Sequence, residues 1–239
     1  MNDIIKQDKT AVVIFSGGQD STTCLGLALK HFKTVHCIIF EYGQKHHIET
    51  NQAQLICLKT RTPYVICKIP ALAMLADSAL TGAGDINDKH HRNTDLPASY
   101  VPNRNALFVT TAHAFAQKVG ADTIITGVCQ TDYSGYPDCR EKFIVSLQDT
   151  LNLGYETNIK ILTPLMHLTK AATFALAEKV GVLDLVLDYS HTCYLGERGV
   201  RHDWGFGCGQ CPACEIRKKG WSDYMQKLTE ENEQRYNGE

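Results

Sequence analysis

Residues 11–25 of the chain are AVVIFSGGQDSTTCL, in which a short apolar run leads into a glycine-rich turn. The run from 11 to 15 is rich in β-branched residues, which is typical of a buried parallel strand. Gly17 and Gly18 allow the backbone to take positive φ angles and to approach a ligand closely. Asp20 and the two hydroxyl residues after it can cap a helix. The pattern predicts a strand, a phosphate-binding turn and a helix whose N–H groups point at the anion.

The residues of this turn discriminate between the known kinds of phosphate loop. A Walker loop requires Gly-Lys-Ser/Thr after four spacers, and a dinucleotide fingerprint requires Gly-x-Gly-x-x-Gly, and the turn has neither. Ser-Gly-Gly-x-Asp-Ser after a first strand instead resembles the PP-loop of the ATP pyrophosphatases; the alternative is an ordinary turn that caps a helix. The resemblance implies that the loop binds pyrophosphate while a substrate oxygen attacks the α-phosphorus, with catalytic roles for Ser16, Asp20 and Ser21. The expected nucleotide contacts are Phe15, Ser16, Gly17, Gly18, Gln19, Asp20, Ser21, Thr22, Thr23, Cys24, Leu25 and Gly127.

Strands and helices alternate along most of the chain. Beyond the first strand, strands are predicted at 35–40, 64–69, 123–126 and 159–162, and helices at about 20–31, 48–58, 105–120, 141–151 and 170–180. This order favours an α/β fold with a doubly wound parallel sheet. The resemblance to the PP-loop implies the Rossmann-like class of the adenine nucleotide alpha-hydrolases. Residues 81–100 interrupt the pattern with Gly, Asp, Asn, His and Pro, and we expect a lid or a disordered segment there.

Size, charge and cysteine usage limit the possible classes of protein. A chain of 239 residues with 44% hydrophobic residues can form one large domain with a small appendage, and we place the ATP-binding domain at 1–185 and a zinc-binding helical segment at 186–239. The formal net charge is −2 and dense Lys or Arg runs are missing, so a nucleic-acid partner is not expected. No apolar stretch approaches the roughly 18 residues of a membrane span. We therefore expect a cytoplasmic protein without a membrane partner.

Four of the ten cysteines crowd the C-terminal part of the chain, whereas the other six are scattered. The four are Cys193, Cys208, Cys211 and Cys214. Four thiolates can close a tetrahedral zinc shell, and such a closed site fixes a segment rather than activating water. The pattern predicts one structural zinc ion per chain. Two alternatives stay open: His191 or His202 in place of one thiol, and a 4Fe–4S cluster on the same four thiolates.

Several further segments are more specific than the phosphate loop. They are FEYGQKH at 40–46, VPNRN at 101–105, TGVC at 126–129, DYSGYPDCR at 132–140 and TCY at 192–194. Together with the loop and the cysteines, they resemble the 7-cyano-7-deazaguanine synthases of queuosine biosynthesis over about residues 11–218. The chain differs from the pattern of this family in two places: the spacer between Cys193 and Cys208 is longer, and residues 82–100 match only loosely.

The resemblance implies a reaction and its cofactors. In this family 7-carboxy-7-deazaguanine, ammonia and ATP give the nitrile, with Mg²⁺ on the phosphates and Zn²⁺ on four cysteines. The substrate carboxylate attacks the α-phosphorus, ammonia converts the acyl-adenylate to an amide, and a second activation of the amide oxygen permits loss of water. A homodimer is expected on the same ground.

The resemblance also implies roles for polar residues outside the phosphate loop. Asp132 or Asp138 can accept the two N–H donors of a guanine-like edge, and Arg104 or Arg140 can bind the substrate carboxylate through two hydrogen bonds. Each of these charges, taken alone, could instead form an ion pair that stabilises a loop. The remaining expected contacts are Gln44, Tyr133 and Tyr136 for the substrate and Lys170 for a phosphate. A solvated lysine at the start of a helix is the alternative for the last of these.

Two other classes of protein compete with this interpretation. A PP-loop tRNA thiolase adenylates a base and delivers sulfur, but it generally needs a redox-active cysteine pair beside the ATP site and a basic RNA surface. Here the C-x-x-C pairs fall in the predicted zinc cluster. A zinc-ribbon nucleic-acid module explains the cysteines but leaves the large α/β portion without a purpose. A gel shift with bulk tRNA discriminates both classes from the ligase.

Overall fold

The secondary structure follows the predicted alternation. The computed structural model describes residues 7–75, 78–82, 84–90, 93–131 and 135–237. In chain order the elements are β1 (Gln7–Ile14), α1 (Gln19–His31), β2 (Phe32–Glu41), α2 (Ile48–Lys59), β3 (Tyr64–Lys68), α3 (Ala71–Leu75), β4 (Lys89–His90), β5 (Asn93–Pro97), α4 (Arg104–Lys118), β6 (Thr123–Ile125), a 3-10 helix (Pro137–Cys139), α5 (Glu141–Tyr155), β7 (Lys160–Leu162), α6 (Lys170–Lys179), α7 (Leu183–Asp188), β8 (Arg201–His202), β9 (Gly205–Phe206) and α8 (Pro212–Asn237).

The central sheet has five parallel strands in the order β3-β2-β1-β6-β7. Strand β1 lies in the middle, where Val13 is in register with Cys37 of β2 on one side and Ile125 of β6 on the other. The chain moves outward from β1 to β3, then returns through α4 to start β6 on the opposite side of β1. This reversal confirms the doubly wound fold, and it opens a crevice between the carboxyl ends of β1 and β6, where such sheets bind ligands.

Alternate residues of the strands supply two separate cores. Val12 of β1 packs with Ile38 and Ile124 in the core that α4 and α5 cover. Val13 points to the other face and packs with Ile39 in the core beneath α1 and α2. Both valines have no exposed surface. The period of two along a strand thus produces a sheet with helices on both faces.

Two strands begin earlier than the sequence indicated, because polar residues continue the main-chain pairing. Strand β1 starts at Gln7 rather than 11, and β2 starts at Phe32 rather than 35, directly at the end of α1. Helix α4 ends at Lys118, and Gly120 follows with φ of 67°, as the predicted helix stop requires. Apolar periodicity detects the buried middle of a strand better than its polar ends.

The polar segment at 81–100 folds in part into the antiparallel pair β4–β5. The N–H of Ala98 donates to the carbonyl of Asp88 at 2.9 Å, and the N–H of Ala79 donates to the carbonyl of Ala98 at 2.8 Å. The prediction of disorder is therefore wrong for the described residues of this segment, because its short polar strands form main-chain hydrogen bonds with each other. Its role as a lid stays a prediction.

The C-terminal segment packs onto α6. Trp221 and Tyr224 of α8 contact Phe174 of α6, with ring centroids 5.1 Å and 6.0 Å from that of Phe174. Helix α7 crosses the predicted boundary at 185, and the division into two parts stays a prediction. None of the helices in the described part of the chain is long and apolar enough to cross a membrane.

Candidate functional site

The phosphate loop joins β1 to α1 and is held by serine hydroxyls. The hydroxyl of Ser21 donates to the carbonyl of Gly18 at 3.2 Å and accepts the N–H of Ser16 at 3.3 Å. The two serine oxygens lie 3.0 Å apart. The carbonyl of Gly17 accepts the N–H of His191 at 2.9 Å, which ties the loop to the C-terminal segment. The first turn of α1 therefore holds its N–H groups in the position that suits an anion.

Two glycines allow neighbouring elements to approach this turn. Gly17 has φ of 77°, and a Cβ built on it would lie 2.7 Å from the backbone nitrogen of Ala53 in α2. A Cβ on Gly127 would lie 3.2 Å from the nitrogen of Ser21. The start of α1 is thus enclosed by α2 on one side and by the loop after β6 on the other. Gly127, which was predicted to contact the nucleotide, therefore lies beside the phosphate loop.

Lys170 and Asp20 form an ion pair across 150 residues of sequence. The Nζ of Lys170, the first residue of α6, lies 3.0 Å and 2.8 Å from the two carboxylate oxygens of Asp20. The side chains are only 13% and 27% exposed, respectively. The interpretation of Lys170 as a solvated lysine is therefore wrong, because the charge is drawn into the loop by its partner. Its contact with a phosphate stays a prediction.

A pocket of about 270 Å³ opens above the carboxyl ends of β1, β2 and β6. Ten of the predicted site residues contribute to its wall: Phe15, Ser16, Gly18, Gln19, Asp20, Ser21, Gln44, Arg104, Gly127 and Tyr136. The expected nucleotide contacts Thr22, Thr23, Cys24 and Leu25 are buried in α1 and lie outside this wall. The side chain of Thr23 donates to the carbonyl of Gln19 at 2.9 Å, so it serves the helix.

The pocket has an apolar side formed by aromatic rings. Phe40 and Phe108 stack with centroids 4.2 Å apart and an interplanar angle of 1°. Tyr42 follows Phe40 and lies against Phe108 at 5.4 Å. Gln44 closes the turn beneath them, because its Oε1 accepts the N–H of Tyr42 at 2.9 Å. Flat apolar walls of this kind suit a planar heterocycle.

The polar side of the pocket contains one arginine and one glutamate. Arg104 donates to the hydroxyl of Tyr42 at 3.3 Å, and its guanidinium lies 6.0 Å from the ring centroid of Tyr136. Burial opposes its charge, but Tyr42 and Tyr136 raise its pKa, so Arg104 stays cationic. Burial raises the pKa of Glu49 to about 7, although Arg104 acts in the opposite direction.

Two residues of the pocket wall carry buried polar atoms without partners in the described part of the chain. Gln19 is 1% exposed, and its Nε2 and Oε1 find no hydrogen-bond partner within the described part of the chain. His191 is 2% exposed; its Nε2 lies 3.1 Å from the carbonyl of Cys193, whereas Nδ1 has no partner in those same residues. Burial lowers the pKa of His191 to about 4, so the ring is neutral and Nδ1 is an acceptor. Buried polar atoms are seldom left unpaired, so these positions are candidates for a water molecule or a ligand group.

The other predicted substrate residues are placed elsewhere. Asp138 is 2% exposed, and its Oδ2 accepts the N–H of Asn105 in the first turn of α4 at 3.0 Å. Arg140 is exposed and precedes α5. Neither lines the pocket. Asp132 and Tyr133 lie outside the described residues.

Sequence reasoning missed several residues of the pocket wall. Glu49 follows the recognised FEYGQKH segment by three residues, and Thr192 and Tyr194 flank the first cysteine of the predicted zinc site. Glu49 lies just beyond a recognised segment, and Thr192 and Tyr194 belong to the TCY segment, which was identified without a role in a pocket. Proximity to those segments was the available signal, but nothing in their own spacing indicated a shared pocket.

The four predicted metal ligands converge. The sulfur atoms of Cys193, Cys208, Cys211 and Cys214 lie within 4.8 Å of one another, and three of the residues are buried. Cys208 and Cys214 have sulfur atoms 3.9 Å apart. A tetrahedral zinc with Zn–S bonds of about 2.3 Å spaces its sulfurs by about 3.8 Å, so the donor set fits one such ion.

The alternatives for this metal centre are less consistent with the geometry. The Nε2 atoms of His191 and His202 are engaged by the carbonyls of Cys193 and Gly207 at 3.1 Å and 3.0 Å. The ring of His202 also stacks on Trp204 at 4.3 Å. A four-iron cluster would place a cube of iron and sulfide between the thiolates and hold them farther apart. The arrangement favours a mononuclear site with four cysteines.

Comparison with known families and proteins gives consistent results. The family described as "Queuosine biosynthesis protein QueC" matches residues 10–225. A protein of Wolinella succinogenes named 7-cyano-7-deazaguanine synthase is 56% identical over 220 residues, which cover 91% of this chain and 94% of that protein. A protein of Rhodopseudomonas palustris with the same name is 49% identical and covers 94% and 96%, respectively. A 50% identical Helicobacter pylori protein with this name covers 93% of the chain and 98% of its own length.

The fold also resembles a solved structure of low sequence identity. A 4-thiouridine synthetase, solved with RNA and bound ATP, superposes with a TM-score of 0.51 at 16% identity. The match covers 90% of this chain and 53% of the synthetase. At this identity the likeness supports the fold alone.

Proposed function

Because this chain belongs to the QueC family of queuosine biosynthesis proteins, we propose that it is an ATP-dependent ligase that converts 7-carboxy-7-deazaguanine and ammonia to 7-cyano-7-deazaguanine. One observation carries the proposal most directly. The phosphate loop, the Arg104 guanidinium and a set of aromatic rings line the same pocket at the switch point of the sheet. An adenylating enzyme needs this combination, since ATP and a planar acid must meet there.

The phosphate loop supports transfer of AMP. Backbone N–H groups at the start of α1 and the hydroxyls of Ser16 and Ser21 can bind the pyrophosphate leaving group. Lys170 is already held beside the loop by Asp20 at 2.8 Å, where it can neutralise charge that develops on the leaving phosphates. We propose that catalysis here is mainly positioning and charge neutralisation.

The chemistry proceeds through two activations in this proposal. A carboxylate oxygen of the substrate attacks the α-phosphorus and pyrophosphate leaves. Ammonia then attacks the acyl carbon and displaces AMP, and the primary amide forms after loss of a proton. A second adenylation of the amide oxygen provides a leaving group, and its departure with the remaining nitrogen protons gives the nitrile. Arg104 is suited to orient the carboxylate because its charge persists in the pocket wall.

Two metal ions accompany this proposal. Mg²⁺ on the ATP phosphates would lower their repulsion toward the attacking oxygen, with Asp20 as a candidate ligand. Zn²⁺ on the four cysteines would fix the loop that contains His191, Thr192 and Tyr194 against the pocket. Ammonia as the nitrogen donor, a homodimer and a cytoplasmic location remain part of the proposal.

A product assay tests the proposed function. The protein is incubated with ATP, Mg²⁺, ammonium and 7-carboxy-7-deazaguanine, and the nitrile is sought by mass spectrometry. We expect nitrile from the parent protein and none from Asp20→Asn, because the variant removes the charge that holds Lys170 at the loop. The matched control is Asp8→Asn, an exposed aspartate bonded to Lys33 at 2.8 Å and remote from the loop. Absence of nitrile with the folded parent, or equal turnover by the two variants, would contradict the proposal.

A further inference from the structure

We infer that Glu49 is the specificity residue of the pocket, whose carboxylate accepts the two adjacent N–H donors of the guanine-like edge of the substrate. This inference rests on the proposed function and deepens it. Glu49 lies in the first turn of α2, three residues beyond the FEYGQKH segment, and contributes to the pocket wall. Sequence reasoning assigned this task to Asp132 or Asp138.

Glu49 is distinguished from the other acidic group of the pocket by its lack of a partner. In the described part of the chain, the carboxylates of the pocket wall belong to Asp20 and Glu49. Asp20 is occupied by Lys170 at 2.8 Å and 3.0 Å and belongs to the phosphate loop. The carboxylate of Glu49 has neither a hydrogen bond nor an ion pair with any residue that the structure describes. Both of its oxygens are therefore available.

A buried carboxylate without a hydrogen-bond partner costs free energy. It therefore favours ligands that supply the missing donors. Burial raises the pKa of Glu49 to about 7 against the opposing effect of Arg104, so the ionised form is less favoured in the wall than in water. A ligand with two parallel N–H donors would replace the missing solvation, as an arginine fork does for a carboxylate. A ligand with only one such donor would leave one oxygen buried and unpaired, so binding would discriminate against it.

The surroundings of Glu49 suit a flat heterocycle. Tyr42, Tyr136 and Tyr194 contribute rings to the same wall, and the hydroxyl of Tyr136 is fixed by Ser99 at 2.6 Å. Arg104 lies among these rings and supplies the positive charge for the carboxylate of the substrate. A planar acid with donors on one edge and a carboxylate on the other thus finds an acceptor and a cation in one pocket.

Asp138 is buried outside the pocket wall, and its Oδ1 has no hydrogen-bond partner among the described residues. Its Oδ2 accepts the N–H of Asn105 at 3.0 Å, and the residue is 2% exposed outside the pocket wall. It therefore joins the 3-10 helix at Pro137–Cys139 to the start of α4. The Asp138 carboxylate thus fixes the first turn of α4, which contains Arg104 and Asn105, through a main-chain hydrogen bond.

A double comparison of protein and ligand tests the inference. Binding of 7-carboxy-7-deazaguanine and of its analogue without the exocyclic amine is measured by calorimetry for the parent and for Glu49→Gln. We expect the parent to bind the analogue at least about tenfold more weakly than the full substrate. We expect Glu49→Gln to bind the full substrate at least about thirtyfold more weakly than the parent does. In Glu49→Gln the difference between the two ligands should largely vanish, while the affinity for ATP stays within about twofold of the parent.

Glu41→Gln is the matched control. Glu41 ends β2, pairs with Lys68 at 3.5 Å and lies outside the pocket wall, so its neutralisation should leave both ligand affinities unchanged. The inference would be overturned if Glu49→Gln still distinguished the substrate from the analogue, or if Glu49→Gln changed only the affinity for ATP. It would also be overturned if Asp132→Asn, and not Glu49→Gln, removed the difference between the two ligands. Failure of the folded parent to bind the substrate would instead overturn the proposed function together with the inference.

Discussion

Gly17 is a residue of the phosphate loop that packs closely against α2. Its φ of 77° is strained for any other residue, and a Cβ there would lie 2.7 Å and 2.9 Å from the nitrogen and Cα of Ala53. Both contacts involve backbone atoms, which cannot rotate away as a side chain can. Gly17→Ala therefore combines a conformational cost of about 1–2 kcal/mol with a packing cost of about 1–3 kcal/mol. Thermal and urea unfolding measure the sum, and ATP titration should show weaker binding.

Gly120→Ala separates the two costs. Gly120 has φ of 67°, but a Cβ there would meet nothing within 4 Å. This variant should lose only the conformational part, about 1–2 kcal/mol, and should keep the ATP affinity of the parent. Equal losses of stability in the two variants would show that the loop is not pressed against α2.

At the scale of elements, the sequence predicted those parts whose cause is local. The run at 11–15, the glycines after it and the apolar stripe of α4 each contain their own signal, and β1, α1 and α4 were placed correctly apart from their ends. The pairs β4–β5 and β8–β9 were missed because their strands are short and polar. Such strands are stabilised by tertiary contacts, which no local pattern records.

The pair β8–β9 occupies the long spacer between Cys193 and Cys208 and depends on one buried arginine. Arg217 of α8 is 1% exposed. It donates to the carbonyl of Trp204 at 2.8 Å, the carbonyl of Val186 at 2.7 Å and the hydroxyl of Thr192 at 2.9 Å. One guanidinium thus holds α7, the loop at Thr192 and the turn between β8 and β9, and a lysine cannot reproduce its fork.

Arg217→Lys should lower the free energy of unfolding by about 2–5 kcal/mol, because buried acceptors lose their donors. Urea unfolding measures this loss. Arg201→Lys is the control, since Arg201 pairs with Asp188 at 2.6 Å with side chains 49% and 44% exposed. A surface pair of this kind contributes about 0–1 kcal/mol. Similar midpoints for both variants would contradict the central role given to Arg217.

At the scale of the whole molecule, the sequence identified the two ends of the site but not their meeting. The phosphate loop and the cysteines were both recognised from spacing, yet Gly17 and Cys193 are 176 positions apart in the sequence. The fold joins them through the N–H of His191, which donates to the carbonyl of Gly17 at 2.9 Å. Tyr194 enters the pocket through this long-range contact, and Glu49 enters it from the first turn of α2. Sequence spacing did not indicate that the two residues share a pocket.

The metal centre should therefore control the pocket as well as the stability of the C-terminal segment. Cys193 lies between Thr192 and Tyr194, both of which line the pocket, so a metal bound to its sulfur would fix this part of the wall. Cys211→Ser should lose the zinc, which we expect at about one ion per chain, and should unfold at lower temperature. Binding of 7-carboxy-7-deazaguanine should weaken more than binding of ATP, because most of the phosphate loop is held by β1 and α1. Elemental analysis, thermal unfolding and calorimetry give the three readouts.

Cys67→Ser is the control, because Cys67 lies on β3 and is not part of the cluster, and it should keep the metal and both affinities. A Cys211→Ser protein with full zinc, or one without zinc that binds the substrate as the parent does, would show that the four cysteines do not organise the pocket.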